Sequence, residues 1–478
     1  MPHLVTPMNS IPTNDAITAA LATAQVAGAA WAASPLRTRL AVVARLRRLI
    51  ARDAAALATT IARTPADTLV AEVLPLAEAA RFLVRQAPAI LAPVRPRGGR
   101  PLWLLGVRAR ITREPYGTVL VLAPSNYPLF LPGAQAMQAL AAGNAVCVKP
   151  APGCAAPMDA LAALLREAGL PGGLFQVLDP VAGEAAARAG FDRIVLTGSA
   201  ETGGRVLAAA APLLTPTTME LSGSDAVFVL PGADLGLAAR CLAYGLRLNG
   251  GATCIAPRRV FVWGGQAAAL EAALLALLPG IPDAVPPPAV QARLGVLLGL
   301  AVAEGARIAA QGAGRPTVVA AARPGMALLQ HDVFAPWLAL VPVADAEAAL
   351  VAAAACPFAL GASIFGPAAA AREVARRVRA GSVCINDLIV PTADPRLPFG
   401  GRGRSGFGST RGAEGLLEMT VPKAISIRRG RFRPHLDPAT PNDAVLFAHM
   451  MALLHGTWRG RLAALRGLMG AGRGSKPL

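Results

Sequence analysis

Residues 117–150 read GTVLVLAPSNYPLFLPGAQAMQALAAGNAVCVKP, and their order decides the fold class. Thr118–Ala123 is a short apolar run closed by Pro124, which predicts a strand. Leu131–Ala142 predicts a helix, and Ala145–Val148 a second strand ending at Lys149-Pro150. The alternation continues with a helix over Met158–Ala168, strands over Phe175–Leu178 and Arg193–Thr197, and a helix over Gly203–Ala210. Strand and helix in strict turn imply parallel βαβ units, and so an α/β fold. A second α/β series runs from Ala226 to about Asn386, with strands Val260–Trp263 and Ser382–Asn386 and a helical block over Ala267–Leu278.

Outward from this core the text changes. Asp15 to about Ala92 reads as alanine-rich helices with arginines such as Arg45, Arg47 and Arg48 between apolar residues. Pro93–Pro101 interrupts them, and Leu102–Thr112 alternates as a strand, suggesting a β-hairpin arm. Leu397–Gly408 is a glycine-rich loop and Ala424–Arg428 a strand. From Arg429 the chain is a tail: a proline-rich Phe432–Pro441, an apolar helix over Ala444–His455, then a helix with spaced arginines. The plain expectation is a helix packed on the body or on a partner. The sharper one is a basic amphipathic segment in peripheral contact with a membrane surface.

Bulk composition bounds the function classes. At 478 residues, 54% hydrophobic and 15% charged, the chain can bury large cores in two or more domains. A net charge of +18 would ordinarily raise nucleic acid as a partner. Only three of the 46 basic residues are lysine, the arginines are scattered, and 4% aromatic content leaves no stacking platform, so nucleic acid is set aside. Six cysteines without a CxxC pair or neighbouring histidines argue against a disulfide scaffold or a metal site and fit a reducing cytoplasm. Met1–Asp15 shows no secretory pattern, and no uninterrupted apolar run of about 18 residues predicts a transmembrane helix.

Four anchors follow one another along the chain: Pro124-Ser125-Asn126-Tyr127-Pro128, Val148-Lys149-Pro150, Glu220-Leu221-Ser222-Gly223 and Asn249-Gly250-Gly251-Ala252-Thr253-Cys254. Lys149 follows Asn126 by 23 residues, and Cys254 follows Glu220 by 34. Two later blocks join them, Asp332-Val333-Phe334-Ala335-Pro336 and Pro398-Phe399-Gly400-Gly401 with Ser405-Gly406-Phe407-Gly408. Together they resemble the aldehyde dehydrogenase superfamily from about Glu114 to Lys423, and within it the class 3 and coniferyl-aldehyde branch.

The residue types suit that chemistry. An aldehyde carbonyl must be attacked before hydride can leave, and a thiolate is the strongest side-chain nucleophile near neutral pH. Taken alone, a cysteine is more often packing; with the other anchors present, Cys254 in its glycine-rich loop is the expected nucleophile. The resemblance implies that Asn126, with the Cys254 backbone N–H, holds the oxyanion, and that Glu220 is the base that activates water against the thioester. Taken alone, Asn126 would shape a turn between two prolines and Glu220 would be a solvated acid. The resemblance gives Lys149 to a cofactor ribose, Asp332 to the nicotinamide-side ribose and Phe334 to the nicotinamide face. Gly198, Ser199 and Gly203 follow an apolar strand and open a helix, where backbone N–H groups suit a pyrophosphate. The cofactor is NAD or NADP: Pro152 stands where relatives often carry an acid that repels a 2′-phosphate. Further departures are Ser125, Ser222, Ser224, Ala252 and Gly403.

The resemblance implies an aldehyde dehydrogenase-like fold: a Rossmann-like cofactor domain over residues 1–222, an α/β catalytic domain over 223–394, and a small β oligomerisation arm. Residues 98–114 and the return segment 395–433 supply that arm, and 434–478 form the helical tail. It also implies a homodimer, and oxidation of a small aldehyde to an acid through a hemithioacetal and a thioester. Two other readings are a CoA-acylating enzyme or reductase, and a weakly active or inactive relative acting as a binding protein. The substrate pocket is expected near Tyr127, Phe130 and Ile385–Pro391.

Overall fold

In the computed structural model, residues 14–99, 101, 104, 106–312, 314–431 and 433–471 are described. They form two compact units. One runs to Val94 and resumes over Ile111–Lys423; the other joins Arg95–Arg110 to the chain from Ala424 onward.

In the larger unit, Thr118–Leu122 is fully buried and pairs in parallel with Ala145–Lys149 on one side and Arg193–Gly198 on the other. The six-stranded sheet runs Gly406–Phe407, Thr217–Leu221, Arg193–Gly198, Thr118–Leu122, Ala145–Lys149, Phe175–Val177, with only the first strand antiparallel. Chain order reverses between Thr118–Leu122 and Arg193–Gly198. A crevice opens beyond the carboxyl ends of two such strands, the usual ligand position in open α/β sheets. The helix Phe130–Ala142 is buried at every position, so it needs no polar face.

The second sheet has seven strands, in the order Ser382–Ile385, Gly361–Phe365, Asp225–Val229, Pro257–Trp263, Trp337–Val343, Arg315–Ala320, Arg307–Gly312. Alternate residues of one strand enter opposite cores: Ala226 and Phe228 one, Val227 and Val229 the other. Covering on both faces is the habit of parallel sheets, and it explains why these strands read as continuous apolar runs.

Several expected elements are displaced. The helix expected at Gly203 begins at Ala200, because the Ser199 hydroxyl caps it by accepting from the Thr202 N–H. The strand expected over Leu102–Thr112 runs instead over Val107–Pro115, after Gly106 turns the chain at φ +85°. It pairs with Thr420–Arg428; Leu102, Trp103 and Leu105 lie outside the described residues. The helix Pro288–Ala303 was not expected.

The reading of the amino terminus falls mostly on residues 1–13, outside those described. The helix Asn14–Ala33 is, by length and composition, apolar enough to cross a membrane. Its stripe Ile17, Leu21, Ala24, Gly28 and Trp31 is nevertheless buried, and the Trp31 indole donates to Leu140 O at 2.8 Å. That stripe is a packing face. In the smaller unit, Pro441–His455 and Trp458–Ala471 form a helical hairpin; the end of the tail, 472–478, is outside the described residues.

Candidate active site

The loop that carries Cys254 begins where the helix Leu235–Arg247 stops. Asn249, Gly250 and Gly251 take three successive left-handed conformations, at φ 51°, 59° and 75°. A Cβ on Gly251 would sit 2.6 Å from Ala335 O, so only glycine fits there. Asn249 tolerates its conformation because its side chain is well occupied: Nδ2 donates to Asn126 O at 3.0 Å and to Ala252 O at 3.1 Å. The Asn126 amide donates to Ala252 O at 3.0 Å, which uses one of its two N–H bonds. Cys254 follows, half-buried, just before the strand Pro257–Trp263.

Two arginines that sequence reasoning missed, the buried Arg258 and the half-buried Arg63, hold this loop. Arg258 donates to Gly251 O at 2.5 Å, Ala335 O at 2.7 Å and Trp337 O at 3.0 Å, tying the turn before Cys254 to the Asp332–Pro336 block. Arg63 donates to Asn126 O at 2.7 Å and Asn249 Oδ1 at 3.1 Å, and lies 3.5 Å from the buried Glu72 carboxylate. Glu72 in turn accepts from Phe130 N at 2.7 Å and Leu129 N at 3.1 Å, at the start of the buried helix. Burial outweighs these partners and pushes Glu72 up to about 7. Its folded value lies above the ordinary carboxylate value, so its ionisation costs stability as pH rises. Replacing Arg63 by methionine should therefore destabilise the fold by about 3 kcal/mol at alkaline pH, with a smaller deficit at acid pH where Glu72 takes a proton. Thermal unfolding across pH checks this; a pH-independent deficit would discard the pairing.

Glu220 lies in the strand Thr217–Leu221, paired with Thr197 and with Gly406 of the glycine-rich return loop. It is 1% exposed, so the alternative of a solvated strand-end acid does not hold. Oε2 accepts from the Thr410 hydroxyl at 2.5 Å, while Oε1 is buried without a hydrogen-bond partner. Burial raises its carboxyl above the ordinary range, with Arg411 and Thr410 opposing. Burial likewise lifts the Cys254 thiol well above its usual range; Glu220 and Asp225 push it further up, and Arg411 pulls it down. Arg411 stacks 4.0 Å from the Phe399 ring centre and donates to Thr392 O. A charge three residues beyond Gly408 was the available sign of this group.

Two cavities meet at these residues. One, of about 510 Å³, lies over the sheet's reversal point and is lined by Pro124–Asn126, Thr197–Ser199, Thr202, Arg293 and Asp332–Phe334. The other, of about 300 Å³, is lined by Val70, Tyr127, Phe130, Tyr244, Ile255, Ile389, Val390 and Phe399, with Arg247 and Arg411. Cys254, Glu220 and Leu131 line both. The Tyr127 hydroxyl bonds to the Thr253 hydroxyl at 2.7 Å beside the thiol.

Most of the expected site residues converge here: Cys254, Glu220, Asn126, Gly198, Ser199, Asp332 and Phe334 all line the larger cavity. Two do not. Gly203 lies inside the helix Ala200–Ala210, where a Cβ would stand 2.8 Å from Leu221 Cδ1; it lets the helix approach the sheet. Lys149 ends its strand beside Leu122 with its stem near Gly183, outside the lining. Of the expected pocket residues Tyr127, Phe130, Ile389 and Val390 line the smaller cavity, whereas Ile385 belongs to a strand of the second sheet.

The larger cavity fits a dinucleotide. Asp332 Oδ1 is buried without a hydrogen-bond partner at its wall, an acceptor that a ribose hydroxyl would satisfy. The Ser199-capped helix presents its free N–H groups to the same space. Ser222 lies beside Asp332 and helps hold its charge. Among the described residues no group of three or more metal-ligating side chains occurs.

The chain matches the aldehyde dehydrogenase family over residues 6–425. It is 30% identical over 436 residues to 4,4′-diapolycopene aldehyde oxidase of Methylomonas sp, covering 86% of this chain and 81% of that protein. It is 31% identical over 422 residues to a Pseudomonas aeruginosa protein named "Probable coniferyl aldehyde dehydrogenase", covering 83% and 88%. Among solved structures, an aldehyde dehydrogenase of Pseudomonas syringae in complex with NAD+ and octanal superposes with a TM-score of 0.79 at 28% identity, covering 86% of this chain and 89% of that one. The NAD-dependent aldehyde dehydrogenase of Sinorhizobium meliloti gives 0.81 at 27% identity, covering 88% of each. The sheet order, the paired cavities and these likenesses agree: the chain belongs to the aldehyde dehydrogenase family and is an NAD(P)-dependent aldehyde dehydrogenase.

Proposed function

We propose that the protein oxidises an apolar aldehyde to the free acid through a hemithioacetal and then a thioester on Cys254. The observation that carries this is the shared wall: Cys254 and Glu220 face both cavities, so a carbonyl on the sulfur is within reach of cofactor on one side and of Glu220 on the other. NAD(P)+ supplies the hydride acceptor when bound. Asn126 and the Cys254 backbone N–H receive the oxyanion, and Glu220, through its unpartnered Oε1, takes a proton from water. A base that activates water favours the acid over transfer to CoA. Asp332 would hold a ribose hydroxyl, Phe334 would flank the nicotinamide, and Gly198 and Ser199 with Thr202 would face the pyrophosphate. Lys149 remains our assignment for the adenosine ribose.

Apolar and aromatic side chains dominate the smaller cavity, and an uncharged aldehyde gains most from entering it. The octanal bound by the P. syringae enzyme and the polyene aldehyde named for the Methylomonas enzyme are of that kind. We assign residues 1–222 to the cofactor half and 223–394 to the catalytic half, the protein acting as a cytoplasmic homodimer through its β arm. A panel of aliphatic, aromatic and carboxylated aldehydes with NAD+ and NADP+, without CoA, tests the reading. Turnover confined to carboxylated aldehydes, or dependent on CoA, would refute it.

Asp332 gives a pH-dependent test. Burial raises its carboxyl to about 6, with Arg258, Ser222 and Arg293 opposing. Only the ionised form offers two acceptor oxygens to a ribose. The cofactor KM should rise as pH falls through about 6, and Asp332→Asn should raise it about tenfold while flattening that dependence. An unchanged cofactor KM would remove Asp332 from the site.

A further inference from the structure

In the helix Trp458–Ala471 four large apolar residues, Trp458, Leu462, Leu465 and Met469, fall at i, i+4, i+7 and i+11, a single stripe, and all four are 44–68% exposed. The opposite side carries Gly460, Ala464 and Gly467. Ala464 is buried, and a Cβ on Gly467 would overlap His449 of the helix Pro441–His455. Small residues thus face the hairpin partner and these four large ones face away from it, with the half-buried Leu468 on the side of Ala464. Arg459 and Arg466 flank the stripe on one side and Arg461 on the other, while Phe447 and Met451 add exposed apolar surface on the first helix of the hairpin.

Charge identifies the occupant. Segments 95–110 and 424–478 hold fourteen of the chain's 46 basic residues and two of its 28 acidic ones, Asp437 and Asp443. About two-thirds of the net charge of +18 therefore sits on 71 residues. An anionic bilayer surface would attract it, with the apolar stripe entering the acyl boundary and the arginine stems reaching back to phosphates. We propose that the carboxyl-terminal hairpin docks the protein on anionic phospholipid membranes, with the Trp458–Met469 stripe as the inserted face.

The test is co-flotation of the full chain with vesicles of phosphatidylcholine alone and of equal parts phosphatidylcholine and phosphatidylglycerol, with light scattering in parallel. The protein should float with the mixed vesicles and much less with the neutral ones, and should be released as salt rises. Leu462→Asp with Leu465→Asp should abolish flotation. Arg459→Gln with Arg466→Gln should weaken it by about 25-fold, near fivefold for each arginine. Aldehyde-dependent NAD(P)H formation shows that each variant is folded. No flotation of the wild type, or equal flotation with neutral vesicles, overturns the proposal. So does a wild type that stays off vesicles while the aspartate pair splits a dimer, which would make the stripe a seat for a second copy.

Discussion

Cys254→Ser should lower aldehyde oxidation by at least about 10³-fold, because a hydroxyl in place of the thiol is a far weaker nucleophile near neutral pH. The site sharpens that expectation. The thiol is already pushed well above its usual range by burial and by the Glu220 and Asp225 carboxylates, with Arg411 the opposing charge. A serine hydroxyl in the same surroundings would hold its proton more firmly still. Cofactor binding should persist, since the residues assigned to it are others: Gly198, Ser199, Asp332 and Phe334 along the larger cavity, and Lys149 outside its lining. Fluorescence titration with NAD(P)H and a steady-state assay on the same preparation separate the two. Retained turnover with intact cofactor binding would move the nucleophile elsewhere. Cys154, whose thiol lies 3.9 Å from Ser125 O beside that cavity, is the natural control.

Glu220→Gln should divide the reaction in two. The first hydride transfer needs the thiol and the cofactor, so stopped-flow mixing should show a burst approaching one NAD(P)H per site. Thioester hydrolysis needs a base, so steady-state turnover should fall by about 10² to 10⁴-fold. The Thr410 hydroxyl holds one carboxylate oxygen at 2.5 Å and leaves the other for water. Burial raises the Glu220 carboxyl above its ordinary value, so wild-type deacylation should fade as pH drops through that raised value, and the glutamine variant should lose this limb. A variant with no burst and no turnover would instead assign Glu220 to deprotonating Cys254. Full turnover would remove it from the chemistry.

The order of anchors, the parallel α/β class and the identities of Cys254, Glu220, Asn126 and Asp332 were legible in the linear text. A strand buried on both faces must be apolar throughout, and a reacting group must be of one residue type at one spacing. Gly203 misled for a local reason: a glycine after a strand reads as a turn, but Ser199, four residues before it, already caps the helix, and the glycine serves packing against Leu221. The arm strand was misplaced because alternation alone does not register the turn at Gly106.

Other features existed only after folding. Arg63 is 186 residues from Asn249 and Arg258 is 77 from Ala335, yet Arg63 joins Asn126 to Asn249 and Arg258 joins Gly251 to Ala335. Nothing near either arginine marks it among 43: the partners of Arg258 are backbone carbonyls, which carry no residue identity, and those of Arg63, a carbonyl with the Asn249 and Glu72 side chains, meet only on folding. Sequence alone singled out Cys254, Glu220 and Asn126 as the candidate reacting groups and the class of sheet that bears them. Tertiary structure decided that Cys254 and Glu220 share a wall between two cavities, because only long-range packing brings the ends of separate strands to one place and removes the water between them.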